Sequence, residues 1–246
     1  PKAKQRLQVE QILLSGDQPR NFFTFIDDEM SFKNNYKQVL RLLCIDSLVE
    51  GGIKVKNYEW IKRDFLSTYG LDKLYLLKNL ERMEILRPQG KTYYNFLKEK
   101  FGLIRENVNI DNPNDASYAF VGYCPLTVRL IEALIREGWN ANSDLLKNVP
   151  GDLRIKSNER EGINVRDRSF ILLVFVGGIT FGEIAAIRYL NSKIRTHKFI
   201  ILTTSIINLN NVIDQLLLER DEFHEYSYEQ FARDIARDTR KHKGNF

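Results

Sequence analysis

Histidine, cysteine and long apolar runs are scarce in this chain of 246 residues, and each shortage excludes a class of chemistry. The two cysteines, Cys44 and Cys124, stand far apart and outside any C-x-x-C pattern. Neither a disulfide framework nor a zinc site is expected, and the reading is of a reducing, cytosolic compartment. The three histidines, His197, His224 and His242, have no metal-ligand spacing among themselves or with the cysteines. No apolar run approaches the roughly 18 residues that a membrane-crossing helix needs, and Pro1–Leu14 is too charged for a secretion signal. Membrane association then comes through partners or the tail. Ser and Thr are plentiful, but no G-x-S-x-G elbow and no internal repeat occurs. Excess charge is small as well: 37 basic residues are interspersed with 32 acidic ones, for a net +5. That balance describes a solvated globular surface better than a nucleic-acid footprint.

What is present is enough apolar side chain for a core, 43% of residues with 11% aromatic, and one well-signed unit over Phe170–Thr204. Seven apolar residues run into Gly177-Gly178, a short helix follows, and a second apolar run closes the unit. The pattern predicts strands over Phe170–Val176 and Phe199–Thr204, parallel in one sheet and buried on both faces. Thr180 and Glu183 form the T-x-x-E capping box that starts the helix between them, and Ile184, Ile187 and Leu190 follow at helical spacing. Two strands are too few for such a sheet. Because the chain starts at Pro1 rather than Met, the missing strands are expected upstream.

The rest reads as helical. Pro1–Leu14 looks like the end of a helix, Gly16–Pro19 is a turn, and Asn21–Met30 is a short helix with an acidic end. Three helices follow, Tyr36–Val49, Tyr58–Tyr69 and Leu71–Met83, each stopped by a Gly cap or by Pro88. Thr92–Phe101 is another, Asp111–Asp115 is a loop, and Pro125 opens a helix that runs to Gly138. A short helix is expected over Ser143–Val149 and a mobile, polar loop over Asp152–Arg168. In the tail, Ser227 and Gln230 are placed to cap a helix with a basic end at Arg237, Arg240, Lys241 and Lys243.

Three constellations compete for function. Gly177 and Gly178, between a strand and a helix N-terminus, stand where a phosphate binds a nucleotide enzyme. The phosphate-loop lysine and the G-x-G-x-x-G spacing are both missing, so Gly178 and Gly182 serve a tight turn and close helix–sheet packing. Glu183 at the strand end could be a catalytic acid, but the capping box accounts for it and no second acid or histidine accompanies it. The helices of Tyr36–Arg87 could form a winged-helix-like reader with Lys54, Lys56, Lys62, Arg63 and Lys73 on phosphates, although Leu71–Met83 is too leucine-rich for a recognition helix.

Four stretches in order outweigh these readings: Val39–Cys44, then Ser67–Gly70 with Asn79–Glu81, then Gly122–Leu130, then Val174–Arg188. Together they resemble the SM family, the syntaxin-binding chaperones of vesicle fusion, and most of all its class C branch, over roughly Leu7–Leu217. The resemblance implies a mixed α/β fold: a helical module followed by a strand-helix-strand unit of a parallel sheet, within a three-domain arch. Residues 1–20 would end the upper helical domain, 21–109 form the lower helical domain, 110–218 return to the α/β second domain, and 219–246 be a basic tail.

It further implies a non-enzymatic subunit of the HOPS and CORVET tethers, without cofactor or metal, peripheral to late endosome and vacuole or lysosome membranes. Its partners would be a tether subunit like vacuolar protein sorting-associated protein 16 and, through the whole protein, SNARE proteins. The partner surface would lie on the lower helical part and the returning second domain. Tyr69 is the expected anchor, projecting beyond the stripe of Tyr58, Ile61 and Phe65, with Lys62 as a rim charge. The other reading of Tyr69 is a cap on the module's own core. Gly177, Gly178, Thr180 and Glu183 are expected as turn and capping residues.

Overall fold

The computed structural model describes residues 2–109, 111–141, 149, 154 and 169–218. Apart from single positions, the helix expected over Ser143–Val149, the loop expected over Asp152–Arg168 and the tail lie outside the described residues. Five helices open the chain: α1 (Lys2–Leu14), α2 (Phe22–Ser31), α3 (Tyr36–Glu50), α4 (Val55–Tyr69) and α5 (Leu74–Arg82). Local chemistry sets their ends. The Asn35 side chain accepts the Lys37 N–H at 3.0 Å to start α3, and Gly51 ends it in the left-handed conformation, φ 77°. The helix expected over Leu71–Met83 divides, because Leu71–Lys73 is a 3-10 turn before α5. Next, α6 (Tyr94–Phe101) starts where the Thr92 hydroxyl accepts the Tyr94 N–H at 3.0 Å.

The first five helices share one core, with Phe22, Ile26, Leu40, Leu43, Phe65, Leu76 and Leu80 among its fully buried members. Each such side chain stabilises the fold by about 1.5–3 kcal/mol relative to leaving it in water. The last described helix, α9 (Leu209–Leu218), returns to this core rather than to the sheet, burying Ile213 and Leu216 in it. The Asn79 side chain donates to the Leu216 carbonyl at 3.1 Å, and Lys37 pairs with Asp214 at 2.5 Å. The helical module is therefore closed by residues some 120 positions beyond it in the chain.

Between these ends lies the second core. A 3-10 helix (Ala116–Phe120) leads to α7 (Leu126–Ala141), which continues through Gly138 where a stop was expected. Then come β1 (Ser169–Phe175), α8 (Phe181–Lys193) and β2 (His197–Thr203). The strands pair in parallel, as expected, with Ile171 opposite Phe199 and Leu173 opposite Ile201. Ala116, Cys124, Val128, Ile179, Ala186, Ile187 and Phe199 form the core beneath them.

The expectation of strands buried on both faces is corrected. Side chains alternate across a strand, and only the face with Ile171, Leu173, Phe175, Phe199 and Ile201 meets the second core. The other face presents Phe170, Leu172 and Val174 beside Ile200 and Leu202, all exposed. Among the described residues no third strand joins the sheet. The continuous apolar pattern thus records a two-sided strand, one side of which is exposed among the described residues.

Candidate partner surface

Tyr69 and Lys62 both lie on α4, whose buried stripe is Tyr58, Ile61 and Phe65. Lys62 is half-buried beside that stripe. Tyr69 does not project from it. Its ring lies 4.8 Å from that of Phe65 and 6.1 Å from that of Tyr36, an aromatic cluster of the geometry that tilted rings favour. Its hydroxyl is buried and has no hydrogen-bond partner among the described residues. Burial, and then the Glu29 charge, push that hydroxyl up to about 12. Past Gly70 the chain enters the Leu71–Lys73 3-10 turn, and Lys73 Nζ sits over the same Tyr36 ring at 5.3 Å. Tyr69 as a whole is half-buried, and Leu71, two positions on, is exposed.

Gly177, Gly178, Thr180 and Glu183 come together as expected of a turn and a cap. The Thr180 hydroxyl accepts the Glu183 N–H at 3.2 Å, and Glu183 Oε2 accepts the Thr180 N–H at 2.9 Å. The Thr127 hydroxyl donates to the other carboxylate oxygen at 2.7 Å, linking α7 to α8. Both Glu183 oxygens are thereby engaged, and a carboxylate already occupies the positive end of α8. A phosphate brought there would meet a negative charge, which removes the physical basis of the nucleotide reading.

Gly178, at φ 129°, has no room for a side chain beside Ile207 and Ser205. Gly182 is in close approach to the Phe120 ring rather than to the sheet. The winged-helix reading also loses support: α5 buries Leu74, Leu76, Leu77 and Leu80. Lys73 is paired with Asp72 at 2.5 Å and sits over the Tyr36 ring.

Two features escaped the sequence reading. Arg129, 6% exposed, grips Asp115 with two hydrogen bonds of 2.8 and 3.0 Å, pairs with Glu132 at 2.6 Å, and donates to the Gly102 carbonyl at 3.2 Å. It fastens α7 to the end of α6 and to the 3-10 helix, whose first turn Asp115 caps. Burial pushes the Asp115 carboxyl up, but hydrogen bonds from Arg129 and Ser117 outweigh it and hold the group down at about 2. The second is the bare sheet face, a contiguous apolar surface of the kind that marks contact sites. Among the described residues no three metal-ligating side chains gather and no helix is long and apolar enough to cross a membrane.

Comparison with known proteins bears on the whole of this architecture. The Sec1 family profile matches residues 2–215. The chain is 34% identical over 223 residues to vacuolar protein sorting-associated protein 33A of Rattus norvegicus, covering 86% of this chain and 37% of that protein. It is 32% identical over 228 residues to the vacuolar protein-sorting-associated protein 33 homolog of Arabidopsis thaliana, covering 86% and 38%. The corresponding protein of Schizosaccharomyces pombe is 26% identical over 224 residues. The chain spans less than two fifths of the length of these relatives.

Proposed function

The chain belongs to the Sec1 family, the SM family anticipated from its motifs, and from that premise we propose that it serves vesicle traffic as part of a non-enzymatic SM-type subunit of an endolysosomal tether. The observation that carries this reading is the match along residues 2–215 together with relatives named for vacuolar protein sorting in animals, a plant and a yeast. In this proposal the tether is of the HOPS or CORVET kind. The direct partner is a subunit like vacuolar protein sorting-associated protein 16, and SNARE proteins are engaged through the whole protein. Residues 21–109 and 110–218 act as the lower helical domain and the return to the α/β domain, with residues 1–20 ending an upper helical domain and 219–246 forming a tail. The protein works at the cytoplasmic side of late endosome and vacuole or lysosome membranes.

The partner surface we propose runs from the Lys62–Tyr69 side of α4 towards the α/β unit. Lys62 supplies a rim charge, of the order of 0–1 kcal/mol at such a site, and the Tyr69 edge supplies apolar area. Co-purification of a tether subunit with the full-length protein tests the reading. Retention by the wild type, a loss of binding in Lys62→Glu combined with Leu71→Asp, and an unchanged melting point are the expected results. Undiminished binding in that double variant moves the interface elsewhere, and failure of any tether subunit to bind the wild type overturns the function.

A further inference from the structure

Asp46 is a carboxylic acid in the wrong surroundings. It lies on α3, one turn before Glu50, and is 1% exposed. Among the described residues its carboxylate receives one hydrogen bond, from Gln18 Nε2 at 2.7 Å. Gln18 belongs to the turn between α1 and α2, so this bond spans two parts of the helical module. The pair lines a pocket of about 70 Å³ with Phe23 of α2, Asn57 of α4, Glu50 and Lys54. A volume of that size holds roughly two waters, and it gives the carboxyl a route to solvent protons. The charged groups that face Asp46 across it are Glu50, on its own helix, and Lys54, just after it; Gln18, Asn57 and Gln89 are neutral.

The turn is also where α6 is held. The Tyr94 hydroxyl donates to the Leu14 carbonyl at 2.5 Å, and Lys98 Nζ to the Ser15 carbonyl at 2.7 Å. Gly16, at φ 84°, lets the Lys98 and Asn95 side chains approach, since a Cβ there would lie 2.7 Å from Lys98 Nζ and 2.8 Å from Asn95 Oδ1. The turn thus holds two side chains of α6, and Arg129 in turn donates to the Gly102 carbonyl at the end of α6.

We propose that Asp46 is an acid-tightened latch: a proton on its carboxyl seats the α1–α2 turn against α3, and loss of that proton loosens the seat. The proton comes from solvent and returns to it, with no other reactant. Two opposing effects fix the direction. The Gln18 bond favours the ionised form, but desolvation, the largest influence, and then the nearby Glu50 charge favour the neutral one. The net result raises the group from 3.8 to about 6. By linkage, the closed arrangement binds the proton more tightly than any arrangement in which water reaches Asp46, so protonation favours closure. The bias between the two arrangements is at most about a hundredfold.

Hydrogen exchange in the full chain reads this directly. The Gly16 and Asp17 amides bond to Leu13 and Ile12 within the turn. Their protection, corrected for intrinsic rates, should fall about tenfold as pH rises from below to above the Asp46 midpoint, while amides of α5 hold theirs. Asp46→Asn should show the acid level of protection at every pH. Glu50→Gln should move the midpoint lower. Protection of the turn that is flat with pH, that rises with pH, or that keeps its wild-type pH profile in Asp46→Asn overturns the latch. Carbon-13 titration of Asp46 in the wild type supplies the midpoint independently, and an ordinary carboxylate midpoint there overturns it too.

Discussion

The two cores of this chain are finished to different degrees. In the helical module α9 comes back from beyond the sheet to close the last opening, and Phe65, Leu76 and Leu80 are sealed from solvent. In the strand-helix-strand unit one face of the sheet is packed, whereas Phe170, Leu172, Val174, Ile200 and Leu202 on the other are between 47 and 67% exposed. Equal hydrophobicity therefore does unequal work. In the helical module it stabilises the fold, and on the bare sheet face it stabilises only what is brought against it. Among the described residues the chain carries one closed core and one sheet covered on a single face.

Substitution tests separate the two regions. Phe65→Ala should cost about 3–5 kcal/mol in a denaturant melt, since the ring is fully buried and supports Tyr69. Leu172→Ala on the open face should change stability by less than about 0.5 kcal/mol. Comparable costs at the two sites would falsify the distinction. Breaking the Arg129 grip comes next: Arg129→Met leaves Asp115 and Glu132 without their partner and should cost about 3–5 kcal/mol, less where water reaches the acids.

The same pair sets a pH dependence. Asp115 titrates lower in the folded chain than in the unfolded one. Its contribution, about 2 kcal/mol, is present above the unfolded value of 3.8 and disappears as pH falls towards about 2. An Asp115→Asn chain should lack that acid limb in its melting profile. At Tyr69, removing the unpartnered hydroxyl with Tyr69→Phe should leave the melting point unchanged or slightly higher. Tyr69→Asp should lower it, because the charge is pressed against Phe65 and Tyr36. A modest effect is expected at the cap of α8, where Thr180→Ala removes the hydroxyl that accepts the Glu183 N–H and should cost about 1 kcal/mol.

What could be read in the sequence was what is decided within a few residues. Thr180 and Glu183 stand three positions apart, so their reciprocal capping was visible as a motif, and Gly51 marked the end of α3 because a left-handed stop favours glycine. The parallel pairing of β1 and β2 followed from the apolar runs and the helix between them. Contacts made across the chain were not visible. Arg129 meets Asp115 from 14 positions away, α9 closes a core built mostly from the first 90 residues, and Gly182 makes room for Phe120 rather than for a strand. Which of the two readings of Tyr69 its surroundings favour was hidden for the same reason: its neighbour Tyr36 is brought to it by the fold and not by the helix it ends. The aspartate at 46 carried no local sign, since an acid in an otherwise apolar helical face looks like any solvated residue until its burial is known.

Native-state hydrogen exchange across a denaturant series measures the contrast between the closed helical core and the open sheet face directly. Amides of α3 and α5 should exchange only through global unfolding, with protection that falls in step with total stability. Amides of β1 and β2 should exchange through a separate, smaller opening. A single opening shared by helices and strands would contradict that contrast.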